Sequence, residues 1–202
     1  MLRRAILVVT LAAALLAPSA LAANVHVRVE GKTQTLWGAL EPTVSASTPL
    51  EALEQASLGG ELYYHVTQSS FGPYVDQVGR YGGTGSFGWV FKVDNVSPPV
   101  GADKVQLKDG DTVVWYIADF SSGSGPKTLQ LRKAGGANCY TVVAFDDNGT
   151  STAPVGTVLH VGSKRTVQTQ GAAGSVGACV GAHKGLLVRA TLDGAIRSNA
   201  LA

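Results

Sequence analysis

Ser69 to Val96 reads SSFGPYVDQVGRYGGTGSFGWVFKVDNV, and LKDGDTVVWYI, Leu107 to Ile117, answers it downstream. Glycines, a proline and aromatic residues are concentrated between alternating segments. In Trp89-Val90-Phe91-Lys92-Val93 the side chains of Trp89, Phe91 and Val93 fall on one face, because side chains alternate along a strand. Asp109-Gly110 predicts a tight turn. The strand after it, Thr112 to Phe120, sets Val113, Trp115 and Ile117 against Val114, Tyr116 and Ala118. A pair of strands joined by glycine-rich aromatic loops is suited to presenting a shaped apolar rim.

Upstream, Asn24 to Gly31 alternates strictly, with Val25, Val27 and Val29 opposite His26, Arg28 and Glu30, the pattern of a half-buried strand. Lys32 to Leu40 predicts a second strand, and Glu41 to Ser47 reads as a polar lead into a helix. Thr48-Pro49-Leu50-Glu51 supplies a cap hydroxyl, a proline at the first helical position and a glutamate three residues after the cap, which together satisfy free amides at a helix start. Leu50, Leu53 and Ala56 or Gln55 define the faces of a short helix that Gly59-Gly60 is expected to end. Glu61 to Thr67 predicts a third strand facing inward with Leu62, Tyr64 and Val66, and Val75 to Val78 a short edge segment. Two strands, a helix and three further strands describe a ubiquitin-like β-grasp, with the helix on one sheet face and the loops and other face left for function.

Ser121 to Pro126 has a hinge composition. Beyond it, Thr128 to Arg132, Tyr140 to Phe145, Val158 to Val161, Thr166 to Gln170 and Leu186 to Leu192 read as strands separated by turns, the layout of a small antiparallel β-sandwich. The fold class is therefore mainly β with one helix (α+β). The expected organisation is a leader over 1–22, a β-grasp domain over 23–120, a linker over 121–126 and a sandwich over 127–202. The two cysteines, Cys139 and Cys179, predict one disulfide in an exported chain, placed between the two sheets of the sandwich.

The leader assignment rests on Arg3 and Arg4, the apolar run Ala5 to Ala17 and the small-residue pattern Ala20-Leu21-Ala22, the layout of a cleaved secretory signal. This layout predicts a mature start at Ala23 and a secreted, extracellular bacterial protein, with no membrane partner after cleavage. Without Arg3 and Arg4 the chain has 14 basic and 14 acidic residues, which argues against a nucleic-acid partner. The charge is unevenly placed. Asn24 to Gly125 carries 6 basic and 11 acidic residues, and Pro126 to Ala202 carries 8 and 3, which suggests that the halves lean on each other or recruit another molecule of the same kind, in a salt-sensitive way.

Catalytic motifs are absent from the sequence. His26, His65, His160 and His183 stand in no arrangement with a serine or cysteine and an acid of the kind a nucleophilic triad uses. Asp109 with Asp111, and Asp146 with Asp147, occupy turns that favour aspartate for backbone bonding. Asp146-Asp147-Asn148-Gly149 does not have calcium-loop spacing, and Gly82 to Gly85 lacks the lysine of a phosphate loop. The expectation is a non-enzymatic protein with no catalytic residues, no metal and no cofactor.

TPLEALEQAS, FGPYVDQV, SFGWVFKVDNV and LKDGDTVVWYI, in this order and spacing, resemble the transcobalamin-like C-terminal domain family, a β-grasp module of cobalamin carriers and of exported bacterial proteins, many of unknown function. The resemblance covers about half the chain. It implies a ligand-side rim made by Ser70, Phe71, Gly72, Tyr74, Phe87 and Trp89, with a corrinoid such as cobalamin, or another large cyclic compound, as ligand. In cobalamin carriers the vitamin lies between this module and a helical barrel, and no such barrel pattern occurs here. The alternative is a structural or adhesive module whose partner is a cell-surface protein or glycan. AFDDNGTSTAPVGTVLHVG more loosely resembles transthyretin-like or carboxypeptidase-regulatory-like sandwiches, which implies a spacer or docking role.

Overall fold

The computed structural model describes residues 21–202 apart from 71, 122, 124, 164 and 172. Strand β1 (Ala23–Glu30) is the axis of the first sheet. It pairs in parallel with β8 (Thr112–Asp119), which pairs antiparallel with β7 (Phe87–Val93). On its other side β1 pairs with β2 (Thr35–Trp37) at one end and with β3 (Thr43–Ala46) at the other. The parallel β1–β8 pair at the centre, with a helix across one face, is the β-grasp plan. The second strand is thus shorter than Lys32 to Leu40, and the supposed polar lead contains a strand of its own. Its pairing partner is the segment Ala23 to His26.

Helix α1 (Pro49–Gly60) starts as its sequence predicts. Thr48 Oγ1 accepts from the Glu51 amide, and Glu51 returns a carboxylate to the Ser47 amide at 2.7 Å. Its end differs from expectation. Gly59 and Gly60 are still helical, and Glu61 caps the helix in the left-handed conformation at φ 49°. Gly60 is needed for packing rather than for ending the helix: a Cβ there would lie 2.2 Å from Trp37 Cδ1. Ala52, Leu53 and Ala56 press onto Val25, Val27, Val29, Val113 and Trp115 in one buried cluster. Leu62, Tyr64 and Val66 close its side.

Between α1 and β7 stands a separate sheet of β4 (Tyr64–Ser69), β5 (Gly72–Val78) and β6 (Tyr81–Gly82). The expected short edge segment is therefore a seven-residue strand in a hairpin.

Among the described residues, the remainder forms two four-stranded antiparallel sheets. One contains β9 (Thr128–Lys133), β10 (Cys139–Phe145), β11 (Ser151–Thr152) and β14 (Val176–Cys179). The other contains β12 (Val158–Val161), β13 (Arg165–Gln168), β15 (Val188–Thr191) and β16 (Ala200–Leu201). Leu129, Leu131, Val142, Leu159, Val161 and Val188 form a second buried cluster. Cys139 and Cys179 are bonded, but not between sheets as expected. They are direct cross-strand partners in β10 and β14, neighbours in one sheet.

The sheet face opposite α1 is not left free. Val114, Tyr116 and Ala118 pack there with Ile196, and Arg28 and Glu30, each 2% exposed, meet Arg189 and Arg197. Lys92, fully buried, donates to the Pro126 carbonyl at 3.1 Å and pairs with Asp147 at 3.0 Å. The leader assigned to 1–22 lies, up to residue 20, outside the described residues. Among the described residues no helix is long and apolar enough to cross a membrane.

Candidate functional site

The six predicted rim residues do not share one surface. Trp89 is 2% exposed, and its indole N–H donates to the Tyr81 carbonyl at 2.8 Å. An indole held in this way is a core residue, so the expectation of an outward-facing Trp89 is corrected. Phe87, two residues earlier, lies beneath the Lys32 ammonium at 3.4 Å from its ring centre. It lines a cavity of about 620 Å³ whose walls include Lys32, Asp119, Lys127 and Arg197. Ser70 is exposed, and Gly72 begins β5 at φ 110°. Phe71 lies outside the described residues.

Tyr74 and Trp89 do come together. They line a cleft of about 320 Å³ along β7, with Phe91 and Trp115 beneath and Pro98, Val100 and Ala102 opposite. Strand β5 places Tyr74 on its exposed side and Val75, 3% exposed, on its inner one. Phe91 and Trp115 stack at 5.2 Å between centroids, and the Trp115 indole donates to the Pro49 carbonyl at 2.9 Å. The floor is therefore held by both the helix and the sheet. Tyr74 and Phe120 are 42% and 50% exposed. Both close over Gly88, where a Cβ would lie 2.5 Å from the Tyr74 hydroxyl and 3.2 Å from the Phe120 ring. Glycine is needed there so that two aromatic rings can reach the same strand.

At one end the cleft meets polar groups from the second half. Asp147 accepts from Ser97 Oγ at 3.1 Å and from the Gly125 amide at 2.9 Å, besides its pair with Lys92. Burial raises the Asp147 carboxyl, but Lys92 and these donors outweigh it and hold the group below its ordinary value. Burial pushes the nearby Tyr116 phenol up to about 12, so it is neutral at any physiological pH. At the other end Asp103 lies beside Gly72 and Gly101 and pairs with Lys104 at 2.7 Å.

Residues 47–118 match the model of a domain of unknown function, DUF4430. No curated protein matches the chain. The DUF4430 segment begins beside the helix cap and ends at Ala118, within β8. It carries α1, the β4–β6 sheet, β7 and all of the cleft lining except Phe120, Gly125 and Asp147. Those three lie beyond the matched segment, so the cleft is built mostly from that segment and completed by residues C-terminal to it.

Phe120, Val100 and Tyr116 were missed by reading the sequence. Phe120 ends a recognisable strand and looked like its last residue. Its role depends on Gly88, opposite Ala118 in the sheet, and that pairing is not visible in either segment alone. Elsewhere, His183 is buried between the Tyr140 hydroxyl at 2.8 Å and the Gly181 carbonyl at 2.9 Å, which uses both ring nitrogens. No cluster of three or more metal-binding side chains occurs among the described residues.

Proposed function

We propose that this chain is an extracellular, non-enzymatic binding module whose working site is the cleft along β7 and whose partner is a protein. The observation that carries the reading is the pair of exposed rings, Tyr74 and Phe120, standing over Gly88 at the mouth of an apolar cleft. Exposed aromatic residues around an apolar depression are the usual anchors of protein interfaces. The disulfide agrees with an oxidising compartment, and the resemblance to transcobalamin-like C-terminal modules agrees with binding rather than catalysis.

Between the two partner classes the geometry favours the protein. At about 320 Å³ the cleft is at the small end of small-molecule sites. A corrinoid would rest on its mouth with almost no access to the Trp89 ring, which is 2% exposed. Cyanocobalamin titrated into the full chain, followed by equilibrium dialysis and tryptophan emission, is expected to show no saturable binding. Micromolar binding lost in Tyr74→Ala would overturn the protein reading in favour of the corrinoid. The site itself is tested with the apolar dye 1-anilinonaphthalene-8-sulfonate. Val100→Arg, at an exposed wall position, should weaken dye binding at least about tenfold, a loss of about 1.4 kcal/mol. Unchanged dye binding would remove the cleft as the site.

A further inference from the structure

The cavity of about 620 Å³ that Phe87 lines is separate from the cleft along β7 and is built by both halves of the chain. Lys32, Phe87 and Ile117 come from the first half, and Lys127, Ile196 and Arg197 from the second. Its volume is ordinary for a site that takes a small molecule. The cavity is open to solvent: Lys32, Lys127 and Gly194 on its walls are exposed, and Phe87, Asp119 and Arg197 are half-buried.

The two lysines have no carboxylate of their own. Lys32 Nζ stands over the Phe87 ring at 3.4 Å and, among the described residues, makes no hydrogen bond or ion pair. Lys127 Nζ donates to Thr152 Oγ1 at 3.1 Å and also makes no ion pair among them. An ammonium carries three donors, so both keep N–H groups for a ligand. The carboxylates, by contrast, are occupied. Glu30 is shared by Arg28, Arg189 and Arg197. Asp119 accepts from Ser86 Oγ at 2.6 Å and from the Ser121 amide at 3.0 Å. Asp147, behind Gly125, is neutralised by Lys92. Apart from that pair, and with Glu41 counted beside Arg28, five cations on and behind the walls meet three carboxylates, an excess of two.

We propose that this cavity is a second binding site, which takes a small dianion with an apolar body, such as an aryl or alkyl phosphate monoester. The excess of two cations matches the charge of that head group at neutral pH, and lysine binds phosphate as a point charge. Phe87, Ile117, Pro126 and Ile196 line the same space and supply apolar surface for the body. The site exists only where the two halves meet, and the Arg197 pair with Glu30 at 2.7 Å joins its walls.

Equilibrium dialysis of 1-naphthyl phosphate against the full chain tests this. Saturable binding is expected, at least about tenfold tighter than for inorganic phosphate or 1-naphthol, each of which carries half of the recognised chemistry. The monoanion 1-naphthalenesulfonate should bind more weakly than the phosphate ester. Lys32→Met and Lys127→Met each remove an exposed charge, and the double variant should lose at least about tenfold in affinity. Val100→Arg, in the other cleft, should change nothing. Absence of saturable binding would overturn the site. So would binding that survives the double lysine variant or is lost in Val100→Arg, since the probe would then sit elsewhere. Equal affinity for the sulfonate, or for either half of the probe, would overturn the assignment to an apolar dianion.

Discussion

Arg197, near the end of the chain, holds Glu30 at the end of β1, with its Nε and Nη2 at 2.9 Å and 2.7 Å from Glu30 Oε2. Arg28 donates to Oε1 of the same carboxylate at 3.1 Å, and Thr35 donates to both oxygens. Arg189 stands 3.7 Å away and bonds Thr35. Arg197 Nη2 also donates to the Gly31 carbonyl at 2.6 Å. One buried glutamate therefore joins the first strand to both strand β15 and the segment before β16, and the two halves are held together there by charge.

Glu30→Gln keeps the shape of the side chain and removes its charge. Three arginines then share Glu41, which reaches only Arg28, at 3.1 Å. Burial already pushes the Arg189 guanidinium below its ordinary value, with Glu30 opposing it. Removing one partner from a buried network costs about 3–5 kcal/mol, and urea unfolding of Glu30→Gln should show a loss of that size. Because the group is buried, the loss should be nearly the same at low and high salt. A loss below about 1 kcal/mol would mean that Glu30 is not the centre of the lock.

Lys92 and Asp147 make a second lock with an asymmetric response. Lys92 is fully buried, whereas the Asp147 side chain is 34% exposed. Lys92→Met replaces a buried cation by an apolar group of similar length and should change stability by no more than about 1 kcal/mol. Asp147→Asn leaves the cation buried and should cost about 3 kcal/mol. The folded pKa of Asp147 lies below its unfolded value. The stability it adds is therefore complete above the unfolded value of about 3.9 and is lost as pH falls through the folded value. Asp147→Asn should accordingly flatten the decline of stability below about pH 5. Equal neutral-pH losses in both variants, or an unaltered acid slope, would contradict this assignment.

Where the sequence was informative, the signal was local. Thr48-Pro49-Leu50-Glu51 names its own helix start, and the alternation in Thr112 to Asp119 divides its two faces correctly. Thr43 to Ala46 was not legible as a strand, because its inward residues are only Val44 and Ala46 and its pairing is dictated by Ala23 to His26. Arg28 and Glu30 looked like a solvated face, since their partners Arg189 and Arg197 lie more than 150 residues away. Trp89 illustrates the limit for the site. Alternation places it on the same face as Phe91, but which side of that face is core depends on Tyr81 and the β4–β6 sheet.

The disulfide joins directly opposed residues of neighbouring strands, so its effect falls on one sheet of the second half. The cysteines are 40 residues apart, and loop closure of that size stabilises by about 4 kcal/mol in the chain-entropy model. In the double variant Cys139→Ala and Cys179→Ala, a loss of about 2–4 kcal/mol is expected. Hydrogen exchange should quicken first in β10 and β14, while β1 and β8 stay protected. Uniform acceleration through both halves would show that the locks at Glu30 and Asp147 make the chain a single cooperative unit.

Gly60 offers a case in which propensity and packing disagree. Alanine is favoured over glycine within a helix by about 1 kcal/mol, so Gly60→Ala would be stabilising if α1 were isolated. In the fold the added Cβ would lie 2.2 Å from Trp37 Cδ1, and displacing a packed ring costs about 1–3 kcal/mol. The net effect expected is destabilisation by up to about 2 kcal/mol. At Gly59 the nearest Trp37 atom would be 3.3 Å away, so Gly59→Ala should be close to neutral. The decisive measurement is Gly60→Ala in a Trp37→Ala background, where the obstruction is gone and the change should become stabilising. If it remains destabilising there, the ring is not what requires glycine at the end of α1.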